Sequence, residues 1–224
     1  MRRFLRDNAL GLFFLAIFLL ALLGQSIAGN ADYNARQLVD GGAPISWVSY
    51  VTSSDFTVDV AENWQSEYLQ FLLFILATVW LVQRGSPESK KRGEEGRESD
   101  ERQKVGPHAE PDSPAWAKVG GLRQVLFSNS LGLVMGAVFV LSWLAQSVAG
   151  TASYNAERLA RLQDPVTWLG YVGSADFWNR TLQNWQSEFL AVLSMVALSV
   201  YLRQRGSPES KPVGTSHTAT SVEG

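Results

Sequence analysis

Between Asp7 and Asp32, and again between Arg123 and Glu157, the chain carries no charged residue. Both gaps exceed the ~20 residues that cross ~30 Å of hydrocarbon as a helix. The first centre, Ala9 to Gly24, is built only of Leu, Phe, Ile, Ala and Gly. These runs predict membrane-crossing helices over about 8–29 and 129–150. A shorter apolar run follows each, from Glu67 to Arg84 and from Glu188 to Arg203. The residues between Glu188 and Arg203 give only about 21 Å of helix, so polar neighbours must be drawn in. Asn63 and Asn184 are the expected starts, giving helices over about 63–83 and 184–203. Arg203 and Arg205 can snorkel towards headgroups at the far end.

The pattern is written twice. Residues 1–90 shifted onto Leu122–Lys211 align without a gap, with roughly half the positions identical. Gln25-Ser26-Ile27-Ala28-Gly29 returns as Gln146-Ser147-Val148-Ala149-Gly150, and Asn63-Trp64-Gln65-Ser66-Glu67 returns as Asn184-Trp185-Gln186-Ser187-Glu188. Arg84 to Lys90 returns unchanged at Arg205 to Lys211. Such a period means one structural unit used twice. The expected fold is therefore all-α, an integral membrane protein with four transmembrane helices from a tandem duplication of a two-helix hairpin. Residues 1–90 form the first membrane repeat and 122–211 the second. The charged stretch 91–121, dense in Glu, Arg, Lys, Ser, Gly and Pro, reads as a disordered linker, and 212–224 as a disordered tail.

Met1-Arg2-Arg3 with Ser26-Ile27-Ala28 resembles a cleavable signal. The same pattern recurs as Ser147-Val148-Ala149 deep inside the chain, so it is read as part of the repeat and the helix as retained. Lys and Arg set the orientation. Arg2, Arg3 and Arg6 precede the first span, Arg84, Lys90, Lys91 and Arg92 follow the second, Lys118 and Arg123 precede the third, and Arg203, Arg205 and Lys211 follow the fourth. The outer segments hold only Arg36 in one and Arg158, Arg161 and Arg180 in the other. Both termini and the linker are expected in the cytoplasm, with the repeats parallel about a pseudo-two-fold axis along the membrane normal.

The outer segments carry more pattern than ordinary loops. Tyr33 to Leu38 can extend the first helix until Gly41-Gly42 stops it. A Pro-[Ile/Val]-[Ser/Thr]-Trp stretch follows at Pro44 and Pro165, in which Ser46 or Thr167 can cap a short helix carrying Trp47 and Tyr50, or Trp168 and Tyr171. Ser53 or Ser54 can cap the next helix, whose Phe56, Val60 and Trp64 form one apolar stripe.

The net charge of −2 hides this segregation. There is no cysteine, hence no disulfide or thiolate metal site, and His108 and His217 fall in linker and tail. No Gly-rich phosphate loop and no metal-ligand spacing of His and Glu occurs. Asp55 and Asp176, each after a Ser, read as helix-start charges. The remaining candidates are polar residues present in both copies, among them Tyr33/Tyr154, Asn34/Asn155, Gln65/Gln186 and Ser66/Ser187. At one membrane depth the geometry permits Gln25, Asn63 and Glu67 to meet, and likewise Gln146, Asn184 and Glu188, since residues four apart share a helical face. One reading is interhelical glue at about 1 kcal/mol per hydrogen bond. The other is a proton or cation site on Glu67 and Glu188.

At Asn-Trp-Gln-Ser-Glu-[Tyr/Phe]-Leu and Arg-Gly-Ser-Pro-Glu-Ser-Lys the chain resembles a bacterial family of small membrane proteins classed as a domain of unknown function. The resemblance spans both repeats and the linker and implies a multi-pass protein of the cytoplasmic membrane. It supplies no activity, ligand or catalytic residue. From the residues, the expected role is a non-enzymatic structural or interaction protein of the envelope, with no cofactor. Its expected partners are the lipid bilayer and a second copy or an envelope protein, and not nucleic acid. The alternative is a small channel or proton-coupled transporter.

Overall fold

The computed structural model describes residues 2–222. Among them every regular element is helical and no strand occurs. A short helix α1 (Arg2–Asp7) leads into α2 (Ala9–Val39), 31 residues long, about 46 Å by the helical rise. Helices α3 (Trp47–Val51) and α4 (Ser54–Trp80) follow. After the linker come α5 (Ala115–Lys118), α6 (Leu122–Ser128), α7 (Ser130–Ala160), α8 (Trp168–Val172) and α9 (Ala175–Tyr201). The helices α2, α3 and α4 have the same lengths as α7, α8 and α9. Two of them, α2 and α7, are long and apolar enough to cross a membrane.

Local chemistry sets these boundaries. The Ser46 hydroxyl accepts the Ser49 amide at 3.1 Å and the Thr167 hydroxyl the Gly170 amide at 3.1 Å, capping α3 and α8. Ser53 and Ser174 cap α4 and α9 by accepting from Phe56 and Phe177, each at 3.2 Å. Because those caps lie well before Asn63 and Asn184, both helices begin nine residues earlier than the apolar runs alone indicate. The Phe56, Val60 and Trp64 stripe is thus continuous with the apolar run. Helix α2 ends where Gly41 turns to φ +78°, and the Gly42 amide bonds back to Gln37 O at 2.7 Å. The matching position after α7 is Leu162 at φ +57°. A side chain there costs roughly 1 kcal/mol that glycine avoids, yet Gln163 N still closes on Arg158 O at 2.8 Å.

Two compact units divide the chain, Met1–Ala61 with Ala145–Val172, and Glu62–Leu144 with Gly173–Gly224. In the first, the rings of Tyr50 and Tyr171 are deeply buried, at 2% and 1% exposure. In the second, Trp143 is the hub of an aromatic cluster, with ring centroids 5.7 Å from Phe139, 6.2 Å from Phe177, 6.1 Å from Trp178 and 6.2 Å from Trp185. Leu72 of α4 lies beside Gly136 of α7, where a Cβ would meet it in ordinary contact at 3.7 Å. From residue 81 to Pro114 the described backbone runs as turns and one 3-10 helix, Gly106–His108. Ion pairs Lys90–Glu98 at 3.3 Å and Lys104–Glu110 at 2.9 Å pin it locally.

Candidate functional site

At the turns that follow α2 and α7 in the first unit, polar side chains are spent on the protein's own backbone. Asn34 on α2 pairs with Ile45 as a strand would: its Nδ2 donates to Ile45 O at 2.9 Å and Ile45 N donates to its Oδ1 at 2.8 Å. Asn155 on α7 repeats this on Val166, again at 2.9 and 2.8 Å. A carboxamide offers one donor and one acceptor in the spacing of a peptide, so aspartate or glutamine cannot substitute without losing a bond or the reach.

The next tie is aromatic. The Trp47 indole donates to Ser26 Oγ at 3.1 Å, and Trp168 to Ser147 Oγ at 3.0 Å. Tyr50 and Tyr171 lie against Gly29 and Gly150, where a Cβ would stand 2.3 and 2.5 Å from the phenol oxygens. Tyr33 and Tyr154 pack on these rings at 5.7 and 5.3 Å. Burial, and then the carboxylates of Asp59 and Asp55, raise the Tyr50 phenol above its usual pKa. Asp55, expected as a helix-start charge, also accepts from Ser153 Oγ of α7 at 3.0 Å. In the second unit Arg180 spans Glu62 at 3.2 Å and Asp176 at 3.6 Å.

The six residues picked from the sequence fall into both units. Gln25 is half-buried on α2 and Gln146 fully buried on α7, both in the first unit. Asn63, Glu67, Asn184 and Glu188 belong to the second. There the face shared by Asn63 and Glu67 is exposed, while Asn184 and Glu188 are half-buried. Asn184 donates along its own helix to Arg180 O at 2.9 Å.

What α4 buries instead is Gln65 at 0% and Ser66 at 1% exposure. The Trp185 indole donates to Gln65 Oε1 at 2.8 Å, which places the carboxamide against the aromatic cluster around Trp143. Gln65 Nε2 and Trp143 Nε1 are buried with no hydrogen-bond partner among the described residues. Gln186 and Ser187, which match Gln65 and Ser66, are exposed on α9. Nothing in Asn-Trp-Gln-Ser-Glu tells which face turns inward, because Gln65 and Glu67 stand about 200° apart around the helix. The arrangement offers hydrogen-bond donors and aromatic faces. Among the described residues no group of three or more His, Asp or Glu is placed to hold a metal ion.

No curated protein and no solved structure matches the chain. A match does extend over residues 1–222, to the family described as Domain of unknown function (DUF6766). With nearly the whole chain inside that match, the chain belongs to this family.

Proposed function

We propose that the protein crosses the cell membrane four times as two parallel hairpins, with both termini and the linker cytoplasmic, and serves as a non-enzymatic structural or interaction protein of the envelope. The observation that carries this reading is the paired use of Asn34 and Asn155, and of Ser26 and Ser147. Polar groups that could have done chemistry are committed, in each copy, to fixing an outer turn. Four spans are supported by the charge-free parts of α4 and α9, where Phe71, Leu76 and Trp80, and Leu190, Leu193 and Leu198, are about half exposed or more. Apolar surface on that scale calls for lipid. The bilayer is thus the primary partner, with a second copy or another envelope protein at the outer ends, and the reading assigns neither cofactor nor nucleic acid.

The absence of cysteine makes topology directly measurable. Single cysteines at Asp40 or Gln163 should react with a membrane-impermeant maleimide on intact cells. Cysteines at Glu101 or Thr218 should react only after permeabilisation. Labelling of Glu101 from outside would remove α4 as a span. For the role itself, purified protein in liposomes under a potassium-diffusion potential should pass protons no faster than empty liposomes, and Glu67→Gln with Glu188→Gln should change nothing. A proton flux abolished by that double variant would replace the structural role with transport through the two carboxylates.

A further inference from the structure

Arg-Gly-Ser-Pro-Glu-Ser-Lys after α4 and after α9 folds the same way twice. Gly85 and Gly206 take φ +90° and +82°. The Ser89 hydroxyl accepts Gln83 N at 2.8 Å, and the Ser210 hydroxyl accepts Gln204 N at 2.9 Å. The two loops differ in what their last lysine does. Lys90 stays local, donating to Gly96 O at 2.8 Å beside Glu98. Lys211 is 1% exposed, and its three ammonium donors are shared among four backbone carbonyls within reach: Gly85 at 2.6 Å, His217 at 3.0 Å, and Ser216 and Ala219 at 3.3 Å. Burial first, and the charge of Arg203 second, press its pKa downwards, so these carbonyls are what sustains a buried cation.

The tail beyond Lys211 then lies on the first loop. Gly85 N donates to Thr220 Oγ1 at 2.9 Å, Ser221 N donates to Ser86 O at 3.2 Å, and the Ser221 hydroxyl donates to Ser89 O. Arg203 fastens its root through Thr215 O at 3.0 Å. The His217 carbonyl sits 2.3 Å from where a Gly85 Cβ would be. Little apolar burial supports this segment. Val213 is 54% exposed, and Ser216, His217, Thr218 and Ser221 are exposed. Ser221 is also held at φ +58°, a strained conformation for a side-chain-bearing residue.

We propose that residues 212–222 form a strap that closes over the Gly85–Ser89 loop and ties the end of α4 to the end of α9, with the Lys211 ammonium as its pin, and that the strap opens without unfolding the helices. A closure whose tail residues stay exposed and which is held by polar bonds, with little apolar surface beneath it, has little besides those bonds to keep water out. It therefore belongs to the low-stability end of the molecule, unlike the tyrosine ties of the first unit. Opening would release the backbone of Gly85, Ser86 and Ser89 together with the hydroxyl-rich tail.

The two loops supply their own control. Alanine at Gly85 meets the positive φ, the His217 carbonyl and, at 2.9 Å, a methyl of Val200 on α9, whereas alanine at Gly206 meets a like φ with nothing within 4 Å. Amide hydrogen exchange on the full chain in lipid nanodiscs reads the strap through Gly85 N and Ser221 N. In the wild type, 212–222 should be protected. Lys211→Met and Gly85→Ala should each speed its exchange by about tenfold or more, the scale of one charge-assisted or buried hydrogen bond, with α4 and α9 unchanged. Gly206→Ala should keep the protection. The strap is overturned if the wild-type tail exchanges at the unprotected rate, or if Gly85→Ala and Gly206→Ala behave alike. It is equally overturned if Lys211→Met leaves the tail protected or loosens the helices as well.

Discussion

Alanine at Gly29 or Gly150 should strip the outer end of its aromatic tie and cost about 1–3 kcal/mol per site, the range for forcing atoms into a packed core. A Cβ at Gly29 would stand 2.3 Å from the Tyr50 hydroxyl and 2.9 Å from the ring carbon bearing it; at Gly150 the Tyr171 hydroxyl would be 2.5 Å away. These are side-chain atoms, so the ring can move. It moves, however, out of a position that is 98% buried and packed at a tilt against Tyr33 at 5.7 Å and Phe56 at 5.5 Å. The displaced α3 should carry Trp47 off Ser26, which tryptophan emission reports as a red shift, while thermal unfolding in detergent gives the stability loss. Gly24→Ala is the control: it lies on the same helix with nothing within 4 Å, and should gain up to about 1 kcal/mol from helix propensity alone. Tyr50→Phe should recover part of the Gly29→Ala loss, since it removes the closest atom. Equal effects at Gly24 and Gly29 would mean that the tyrosine does not hold the turn.

The elements were legible because they rest on short-range rules. Charge-free length marks α2 and α7, Gly41 marks the end of α2, and Ser46, Thr167 and Ser53 act as the caps that their spacing predicts. Apolar runs alone mark only the later part of α4 and α9, and the Ser53 cap marks where α4 begins. The interior was less legible. Every residue of Asn63 to Glu67 recurs in the second copy, so retention ranks Glu67 no lower than Gln65, and only the rotation of α4 buries Gln65 and Ser66 while leaving Asn63 and Glu67 exposed. Rotation follows from the aromatic cluster it packs against, and Trp143 and Trp178 have no aromatic match in the first copy, where Leu22 and Thr57 stand. Likewise two identical seven-residue loops gave no hint that Lys211, and not Lys90, would be buried, since the difference lies in the tail that follows. Asn34 and Asn155 were visible as retained polar residues, but their pairing depends on a turn eleven residues away.

That pairing yields the second large effect. Asn34→Ala should leave the Ile45 amide without its partner and its carbonyl with only the longer bond from Asn30 Nδ2 at 3.4 Å, and should destabilise the turn by about 1–2 kcal/mol, the scale of an unsatisfied, partly buried backbone group. Hydrogen exchange at Ile45 N should rise accordingly, because its bond to Asn34 Oδ1 at 2.8 Å is what protects it. Asn34→Asp separates the two halves of the clamp. Ionised aspartate still accepts from Ile45 N but turns a second acceptor on Ile45 O, 2.9 Å from the atom it replaces. Protonating the new carboxyl restores a donor, so the Asp variant should be least stable at neutral pH and recover as pH falls through its carboxyl pKa. Asn34→Ala has nothing to titrate there and should show no such recovery. At Asn155 the same pair of substitutions should act on Val166 and leave Ile45 protected, since each carboxamide serves only its own turn. If neither alanine variant speeds exchange at its partner amide, the turns are held by the tryptophan and tyrosine ties alone. The outer polar residues would then be spare, which would reopen them as candidates for binding.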